Sequence, residues 1–458
     1  MNEPAKPTNS KRAGLESFLY TLKLAVFFVL TAFLAFVAGG VSTVMKAPVV
    51  DDFIQGVSMG LFYLYESSIN PATFDYFWYP SHMPGPENGN PVMLNDPTRA
   101  SSGYNLVAGT NEQSATLIDM EGNIVHKWAL RFDEIWNEAP QLASYKDYDA
   151  DYWADKIYWR RTHLFSNGDL LVVYETPYYT PYGIGMAKLD KDSRVIWKAD
   201  INAHHDIALD PAGKIFTLGS RINKTGYPGY PPLKPPFIDD SVMVLTADGK
   251  VEKEIFLVQA FLDSQYSAFL SFMDSNLRGD IMHANTVQYI GAELAAKFPF
   301  ANEGDLLISV REMNVIAVLD PDKERIIWAQ TGPWKAQHEP VMLNNGRIIM
   351  FDNKGNIGDG GQSRVIEFDP IRGSTHWSYI GKAEEPLFSP HWGAVQRLEN
   401  GNTLILESTN GRAFEVTVEG RVVWDYRSPY RKTGKEGELV MPLLDVVRYG
   451  KDELDFLN

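Results

Sequence analysis

Histidines occupy equivalent positions in segments that recur along the chain. Each segment contains a glycine, and the residue eight positions before that glycine is Arg160, His205 or His338 in three of them. A fourth segment carries an insertion, and its matching stretch MHANTVQYI has His283 near its start. An imidazole titrates near neutral pH and can act as a nucleophile or exchange a proton. Any fold that brings these segments together would place the histidines in one chemically active cluster.

A second set of polar residues stands seven positions after the same glycines. Its members are Glu175, Ser220, Arg311, Asn353 and Ser408, with Arg221 directly after Ser220. A guanidinium group has a permanent charge and forked donors that match a tetrahedral oxyanion. We therefore expect Arg311 and Arg221 to face the histidines.

Three other histidines fit structural roles. His126 and His376 each stand just before or close to a tryptophan that ends a recurring hairpin, on the outer side of the repeat. His204 precedes His205, and successive residues of a strand point to opposite faces, so we expect His204 to point away from the site.

Two kinds of β-hairpin alternate and would position these residues. One kind ends in a tryptophan, at Trp128, Trp197, Trp328, Trp377 and Trp424. The other kind is built around the glycine, at Gly168, Gly213, Gly304, Gly346 and Gly401. Two hairpins form a four-stranded blade, and six such units fill residues 101–430, which predicts an all-β fold, a six-bladed β-propeller. The first strand of every blade would line the central channel, so the histidines should converge at one mouth.

The N-terminal part predicts a membrane anchor. Residues 24–41 are 18 consecutive uncharged residues, about 27 Å of helix, close to the thickness of a bilayer core. Basic residues precede this stretch and Asp51 and Asp52 follow it, so the N-terminus should be cytoplasmic. We divide the chain into the anchor region 1–46, a linker 47–100, the propeller 101–430 and a C-terminal tail 431–458. The prediction is a single-pass protein of the inner (cytoplasmic) membrane with its propeller in the periplasm, and the competing interpretation of 24–41 is a cleaved signal peptide.

Composition excludes several classes. The chain has no cysteine, which excludes disulfides, thiolate metal sites and a cysteine nucleophile. Its formal net charge of -16 repels polyanions, so we expect no nucleic-acid partner. An anionic substrate must therefore bind at a local cationic pocket.

The blocks HHDIALDPAGKIF, DIMHANTVQY, LLISVREMNVIAVLD, QHEPVMLNNGRIIMFDN and HWGAVQRLENGNTLI resemble, in this order, those of the bacterial arylsulfotransferases. The resemblance implies a six-bladed propeller that moves a sulfuryl group from a phenolic sulfate ester to a phenol by a ping-pong mechanism through a sulfohistidine. It equates His338 with the histidine that is sulfated, and His205, His283 and Arg311 with the residues that hold the sulfate group. We assign Asn285, Asn353 and Arg221 to substrate binding, and we expect neither a cofactor nor a metal. Two departures from the family pattern are Met282 in place of tryptophan and Glu339 in place of aspartate.

Two alternatives of other classes remain. Three converging imidazoles also suit zinc, although Arg311 in the same site disfavours a cation. The second alternative is a non-catalytic propeller subunit of a membrane-associated assembly, which the anchor and the apolar insertion 256–282 suggest. That insertion is expected to be helical and to act as a lid, a homodimer contact or a membrane-facing surface.

Overall fold

The computed structural model describes residues 78–457, except 82, 87–88, 111, 137–155, 177–181, 274–278, 357–361 and 435–436. The described residues belong to one compact unit, Tyr76–Asn458. The predicted membrane helix at 24–41 and most of the linker lie outside them. Within the described ranges, no helix has the length and apolar character needed to span a bilayer.

The described residues form thirty strands. The first fifteen are β1 (Tyr79–Pro80), β2 (Val92–Asn95), β3 (Tyr104–Gly109), β4 (Ser114–Ile118), β5 (Ile124–Ala129), β6 (Tyr158–Leu164), β7 (Leu170–Glu175), β8 (Gly183–Leu189), β9 (Val195–Ala199), β10 (Ala203–Leu209), β11 (Ile215–Asn223), β12 (Phe237–Leu245), β13 (Val251–Phe256), β14 (Ala284–Tyr289) and β15 (Leu306–Val310). The others are β16 (Val315–Asp320), β17 (Arg325–Thr331), β18 (His338–Met342), β19 (Ile348–Asn356), β20 (Gln362–Asp369), β21 (Ser374–Tyr379), β22 (Gly381–Lys382), β23 (Glu385–Pro386), β24 (Ala394–Arg397), β25 (Thr403–Glu407), β26 (Arg412–Val416), β27 (Val422–Arg427), β28 (Arg431–Gly434), β29 (Gly437–Val440) and β30 (Leu443–Tyr449).

The helices are short. They are α1 (Phe132–Ile135), α2 (Leu257–Leu262) and α3 (Ala292–Ala295), with 3₁₀ turns at Ser267–Phe272, Ser408–Asn410, Lys451–Glu453 and Asp455–Leu457. Within the insertion 256–282, α2 and the turn at Ser267–Phe272 provide helical structure, as its apolar pattern predicted.

Most strands belong to six antiparallel sheets of four or five strands. In order from the first strand outward, they are sheet 1 (β30-β3-β4-β5), sheet 2 (β6-β7-β8-β9), sheet 3 (β10-β11-β12-β13), sheet 4 (β14-β15-β16-β17), sheet 5 (β18-β19-β20-β21) and sheet 6 (β24-β25-β26-β27, with β2 added at the outer edge). Two smaller sheets, β1-β29-β28 and β22-β23, complete the pairing. The fold is therefore all-β and antiparallel.

The two ends of the domain differ from the boundaries drawn on the sequence. Residues 431–458 are not a simple tail, because β30 pairs with β3 and supplies the first strand of sheet 1. The segment assigned to the linker contributes β2, which pairs with β27 of sheet 6. Strands from distant parts of the chain thus share one sheet, a pairing that local sequence patterns do not reveal.

Each pair of neighbouring sheets encloses its own hydrophobic core. In β7, Leu170 and Val172 pack toward sheet 1, whereas Leu171 and Val173 pack toward sheet 3. Four further cores lie between sheets 3 and 4, 4 and 5, 5 and 6, and 6 and 1. The first strands also contact one another in the cyclic order β30, β6, β10, β14, β18, β24 and back to β30. This order brings the predicted site residues to a common centre.

The recurring tryptophans connect neighbouring sheets. The indole Nε1–H of Trp128 donates to Gly168 O at 3.0 Å, and that of Trp424 donates to Met120 O at 3.1 Å. Trp377 bonds in the same way to Val418 O at 2.7 Å. A large apolar ring with a polar edge suits this position because it fills the core and also satisfies a turn carbonyl.

Candidate active site

The first strands of sheets 2 to 5 each contain a bulge at the predicted site residues. The register shifts lie between Trp159 and Arg161, His204 and Ile207, Ala284 and Thr286, and His338 and Val341. Near these bulges, His205, His283 and Glu339 have φ values of 60°, 51° and 49°. Bulges and left-handed residues re-aim side chains, so consecutive residues here reach toward the same region and do not alternate strictly.

The predicted histidines His205 and His283 are in contact, and His338 is near enough to interact electrostatically with both. The ring centroids of His205 and His283 are 5.0 Å apart, and the Tyr182 ring lies 5.2 Å from the first and 5.4 Å from the second. Burial, with further effects from Arg160, His283 and His338, lowers the pKa of His205 well below its usual value. Charges on these residues therefore affect one another directly.

Asn353 fixes the tautomer of His338. Asn353 Nδ2 donates to Ser389 O at 2.6 Å and to Trp392 O at 2.9 Å, so its Oδ1 must face His338. His338 Nδ1–H donates to this oxygen at 2.8 Å. His338 Nε2 is buried and has no hydrogen-bond partner among the described residues. The ring therefore presents a bare nitrogen lone pair.

Burial and the nearby Arg311 charge lower the pKa of His338 well below its usual value, which keeps the imidazole neutral. The Arg311 side chain is 13% exposed and pairs with the neighbouring Glu312. Its backbone N–H donates to His283 O at 3.2 Å, which places β15 beside the start of β14. A neutral nucleophilic nitrogen thus lies within the field of a cation.

His283 lies at the open side of the cluster. Its Nδ1 is hydrogen-bonded to Asp280 Oδ2, and the Tyr182 hydroxyl is 3.4 Å from both atoms. The side chains of His283 and Asp280 are 22% and 30% exposed, whereas His205 and His338 are buried. This partial exposure marks the edge at which the cluster reaches solvent. Two surface cavities, of about 430 and 230 Å³, are lined by other residues.

Glu175, which the sequence placed in the second set of polar residues, contacts His205. Its Oε1 accepts the His205 backbone N–H at 2.5 Å and lies 3.4 Å from His205 Nδ1. Its Oε2 is 3.9 Å from Arg160 Nε. Burial raises the pKa of Glu175 to about 7.

A second group of charges was missed by the sequence analysis. Arg161 bonds to Asp206 at 2.8 Å, Glu339 at 2.5 Å and Asp445 at 3.0 Å. Arg161, Asp206 and Glu339 each directly follow a residue of the first register set, namely Arg160, His205 and His338. A charged residue at this next position was the sequence signal that could have revealed the group. Burial raises the pKa of Glu339 to about 7. The group links four first strands, β6, β10, β18 and β30.

Two other expectations are wrong. His204 does not point away: its Nδ1 lies 2.9 Å from His205 Nδ1 because of the bulge in β10. Arg221 is not brought to the histidines; it alternates with buried Ser220, its side chain is 53% exposed, and its guanidinium carbon lies 3.4 Å from the centre of the Phe256 ring. Strand alternation explains the position of Arg221.

The two asparagines assigned to substrate binding make contacts within the protein. Asn285 Nδ2 donates to Gln337 O at 2.8 Å, which fixes the backbone directly before His338. Asn353 holds the His338 ring, as described above. Both act on the segment that carries His338.

Glu175, His204 and His205 place three potential ligand atoms within 4.8 Å of one another. This group does not fit a metal ion well. The two Nδ1 atoms already face each other at 2.9 Å, and the Arg160 guanidinium opposes a further cation beside Glu175. We do not assign these residues as metal ligands.

These features define an all-β protein with a largely buried, histidine-lined site beside Arg311. Residues 161–429, more than half of the chain, match the family model for arylsulfotransferase (ASST), and the chain belongs to that family. Membership supports a sulfotransferase at the level of the family.

No curated protein matches the chain significantly. Among solved structures, it is similar to a protein of unknown function from Bacteroides caccae, with 12% identity, coverage of 71% of this chain and 94% of that chain, and a TM-score of 0.42. A streptogramin B lyase gives 13% identity, 78% and 96% coverage, and a TM-score of 0.38. A catalytically inactive variant of virginiamycin B lyase from Staphylococcus aureus, solved with quinupristin, has 9% identity and a TM-score of 0.36. The match covers 64% of this chain and 85% of that chain.

Proposed function

We propose that the protein is an arylsulfotransferase that moves a sulfuryl group from a phenolic sulfate ester to a phenol, with His338 as the nucleophile. The observation that carries the proposal is the bare Nε2 of His338, held by Asn353 in the field of Arg311. Family membership supports the reaction class.

In the first half-reaction, the His338 Nε2 lone pair attacks sulfur and the bond between sulfur and the phenolic oxygen breaks. The departing oxygen takes a proton from His283 or His205, and phenol leaves. The products are phenol and sulfo-His338. Positive charge on the modified ring is stabilised by the hydrogen bond from Nδ1–H to Asn353 Oδ1.

In the second half-reaction, an acceptor phenol gives its proton to the histidine that lost one. Its oxygen attacks sulfur, the N–S bond breaks and neutral His338 is regenerated. Two sequential transfers through one covalent intermediate give ping-pong kinetics.

Arg311 supplies the main electrostatic stabilisation. As in phosphoryl transfer, charge is spread over the oxygens of the transferring group, and fixed donors in a buried site stabilise that charge. His205, buried beside Arg160 and next to His283, would contribute a second donor to the same oxygens.

Three further proposals concern the architecture, the location and the partners of the protein. We infer that the six sheets are the blades of a six-bladed propeller, on the basis of the cyclic contacts between first strands. Residues 24–41 would anchor it in the inner membrane with the propeller in the periplasm. The partners are a phenolic sulfate donor and a phenol acceptor, with a homodimer or membrane complex remaining a prediction.

Turnover of a chromogenic aryl sulfate in the presence of a phenol acceptor tests the proposal. Wild type should release the chromophore, and His338→Ala should reduce kcat to the background. His376→Ala, on the exposed outer strand β21, is the matched histidine control and should keep wild-type turnover. Wild-type turnover that survives in His338→Ala contradicts the proposal, and a lack of turnover with any aryl sulfate favours a non-catalytic subunit.

A further inference from the structure

Asp280 contacts the side chain of a site histidine and is itself partly exposed to solvent. No other carboxylate among the described residues combines these two properties. Its Oδ2 binds His283 Nδ1. Asp280 lies just before β14, three residues ahead of His283, and the segment turns so that the two side chains meet. The block DIMHANTVQY contains both residues, and the reaction described above leaves Asp280 without a role.

We propose that Asp280 is a positioning residue that makes His283, and not His205, the general acid and base of the reaction. The proposal rests on the proposed arylsulfotransferase function. Asp280 accepts the His283 Nδ1–H, which directs Nε2 at the opposite edge of the ring to the substrate oxygen. It also stabilises the positive charge of a doubly protonated imidazole.

His205 and His283 differ in burial and in the charges beside them. His205 is fully enclosed near Arg160, and burial with the neighbouring positive charges lowers its pKa well below the usual value. Such a ring cannot hold a second proton near neutral pH. His283 is partly exposed, and its Nδ1 is hydrogen-bonded to the Asp280 carboxylate, so its ring meets both solvent and a counter-ion.

Asp280 itself remains ionised. Burial alone would raise its pKa, but the charge of His283 and their hydrogen bond, with smaller effects of His204 and Arg311, lower the pKa overall. The Tyr182 hydroxyl lies 3.4 Å from Asp280 Oδ2 and can donate to it. An ionised acceptor with a second donor is suited to orient an imidazole without taking its proton.

Several other charged or titratable groups influence this pair. They are Glu175 of β7, His204 and His205 of β10, Asp240 of β12, Arg311 after β15, His338 of β18 and His391 before β24. Asp240 is buried, and burial together with the negative charge of Asp280 raises its pKa well above the usual value, so Asp280 carries the negative charge of the two.

The proton balance follows from this arrangement. As the S–O bond of the donor breaks, the His283 Nε2–H bond breaks and the O–H bond of the leaving phenol forms. The acceptor phenol later returns a proton to Nε2 as its oxygen attacks sulfo-His338. Asp280 keeps its hydrogen bond to Nδ1 and is never protonated.

A series of aryl sulfates with leaving phenols of graded acidity tests the proposal. Loss of the acid should scarcely affect an acidic nitrophenol, which leaves as its anion, but should slow unsubstituted phenol by about 100-fold, within the range typical of general acid catalysis. In Asp280→Asn the dependence of log kcat/KM on leaving-group pKa should therefore become steeper. Asp239→Asn removes another buried carboxylate, outside the pair, and should leave that slope unchanged.

The pH profile provides a readout that a merely structural role would not change. The profile of kcat/KM for the donor against pH should differ between wild type and Asp280→Asn, because the proton that moves is held on the imidazole paired with Asp280. Asp280→Glu should recover part of both properties, and melting curves should show that each variant folds.

The proposal is overturned if folded Asp280→Asn keeps both the wild-type dependence of log kcat/KM on leaving-group pKa and the wild-type pH profile. Failure of the proposed function can be distinguished from failure of the pairing proposal, because NMR titration of the His283 ring requires no turnover. If wild type transfers no sulfuryl group, the function fails; if His283 titrates identically in wild type and Asp280→Asn, the pairing proposal fails independently.

Discussion

Asn353 Oδ1 accepts the Nδ1–H of His338 at 2.8 Å, and both Nδ2 hydrogens of the same amide bind backbone carbonyls of Ser389 and Trp392. This relationship selects one tautomer of His338 and leaves Nε2 without a hydrogen-bond partner among the described residues. In the proposed mechanism, Asn353 therefore acts through His338 and does not bind the substrate.

Replacing Asn353 should therefore impair chemistry more than substrate affinity. We expect Asn353→Ala to lower kcat by about 10- to 100-fold, by analogy with the loss of residues that orient metal-ligating histidines. KM for the aryl sulfate should change little, because the substrate does not contact Asn353 in this account. Steady-state kinetics with donor and acceptor varied separately measures both values, and a rise in KM with unchanged kcat would return Asn353 to substrate binding.

Arg311 should be essential for charge stabilisation. Arg311→Met should reduce kcat/KM by about 100- to 1000-fold, as for other losses of one oxyanion donor. Arg311→Lys should recover only part of the loss because an ammonium group lacks the forked geometry. Arg372→Met, with a side chain 81% exposed, is the control. Equal activity of Arg311→Met and wild type would remove the cation from the mechanism.

The pH dependence of stability should contain a contribution from Glu175. Burial raises its folded-state pKa to about 7, whereas the unfolded value is near 4.5. A group whose folded pKa is raised contributes stability below the unfolded pKa, and this contribution is lost as pH rises through the folded pKa. Between these two values, stability should fall by about 1.4 kcal/mol per pH unit for this one proton.

Glu175→Gln should remove that slope from urea unfolding curves measured from pH 4.5 to 7.5. The partly exposed Glu112 provides the control, since Glu112→Gln should keep the wild-type slope in this window. Identical slopes in wild type and Glu175→Gln would show that Glu175 ionises normally in the folded protein.

Arg161 should be a major determinant of stability. Its guanidinium bonds to Asp206, Glu339 and Asp445 and thereby connects four first strands. Arg161→Met leaves buried carboxylates without a cation and should destabilise the fold by about 3–5 kcal/mol. Urea denaturation measures this loss, with Arg372→Met as the exposed control. A loss below about 1 kcal/mol, the value typical of surface pairs, would refute a structural role for the group.

The repeat register placed His205 and His338 in equivalent positions, and the matching strand start placed His283 with them. The structure brings His205 and His283 into contact, with His338 near enough to interact electrostatically with both. The outer tryptophans likewise marked the outermost strands, although each of these strands continues one to three residues beyond its tryptophan.

Other features were not predictable from local patterns. The bulge in β10 brings His204 against His205, although strict alternation separates them. The same irregularity in β6 and β18 allows Arg161 and Glu339 to meet. Pairing of β30 with β3 depends on two segments more than three hundred residues apart, which no local pattern connects.

In the proposed reaction, His338 carries the sulfuryl group between donor and acceptor. Mass spectrometry of the protein after brief exposure to excess phenyl sulfate, without acceptor, tests this step. We expect a mass gain of one sulfuryl group, localised to His338 by fragmentation and lost when a phenol acceptor is added. Donor turnover with the sulfuryl group on another residue, or on none, would contradict it.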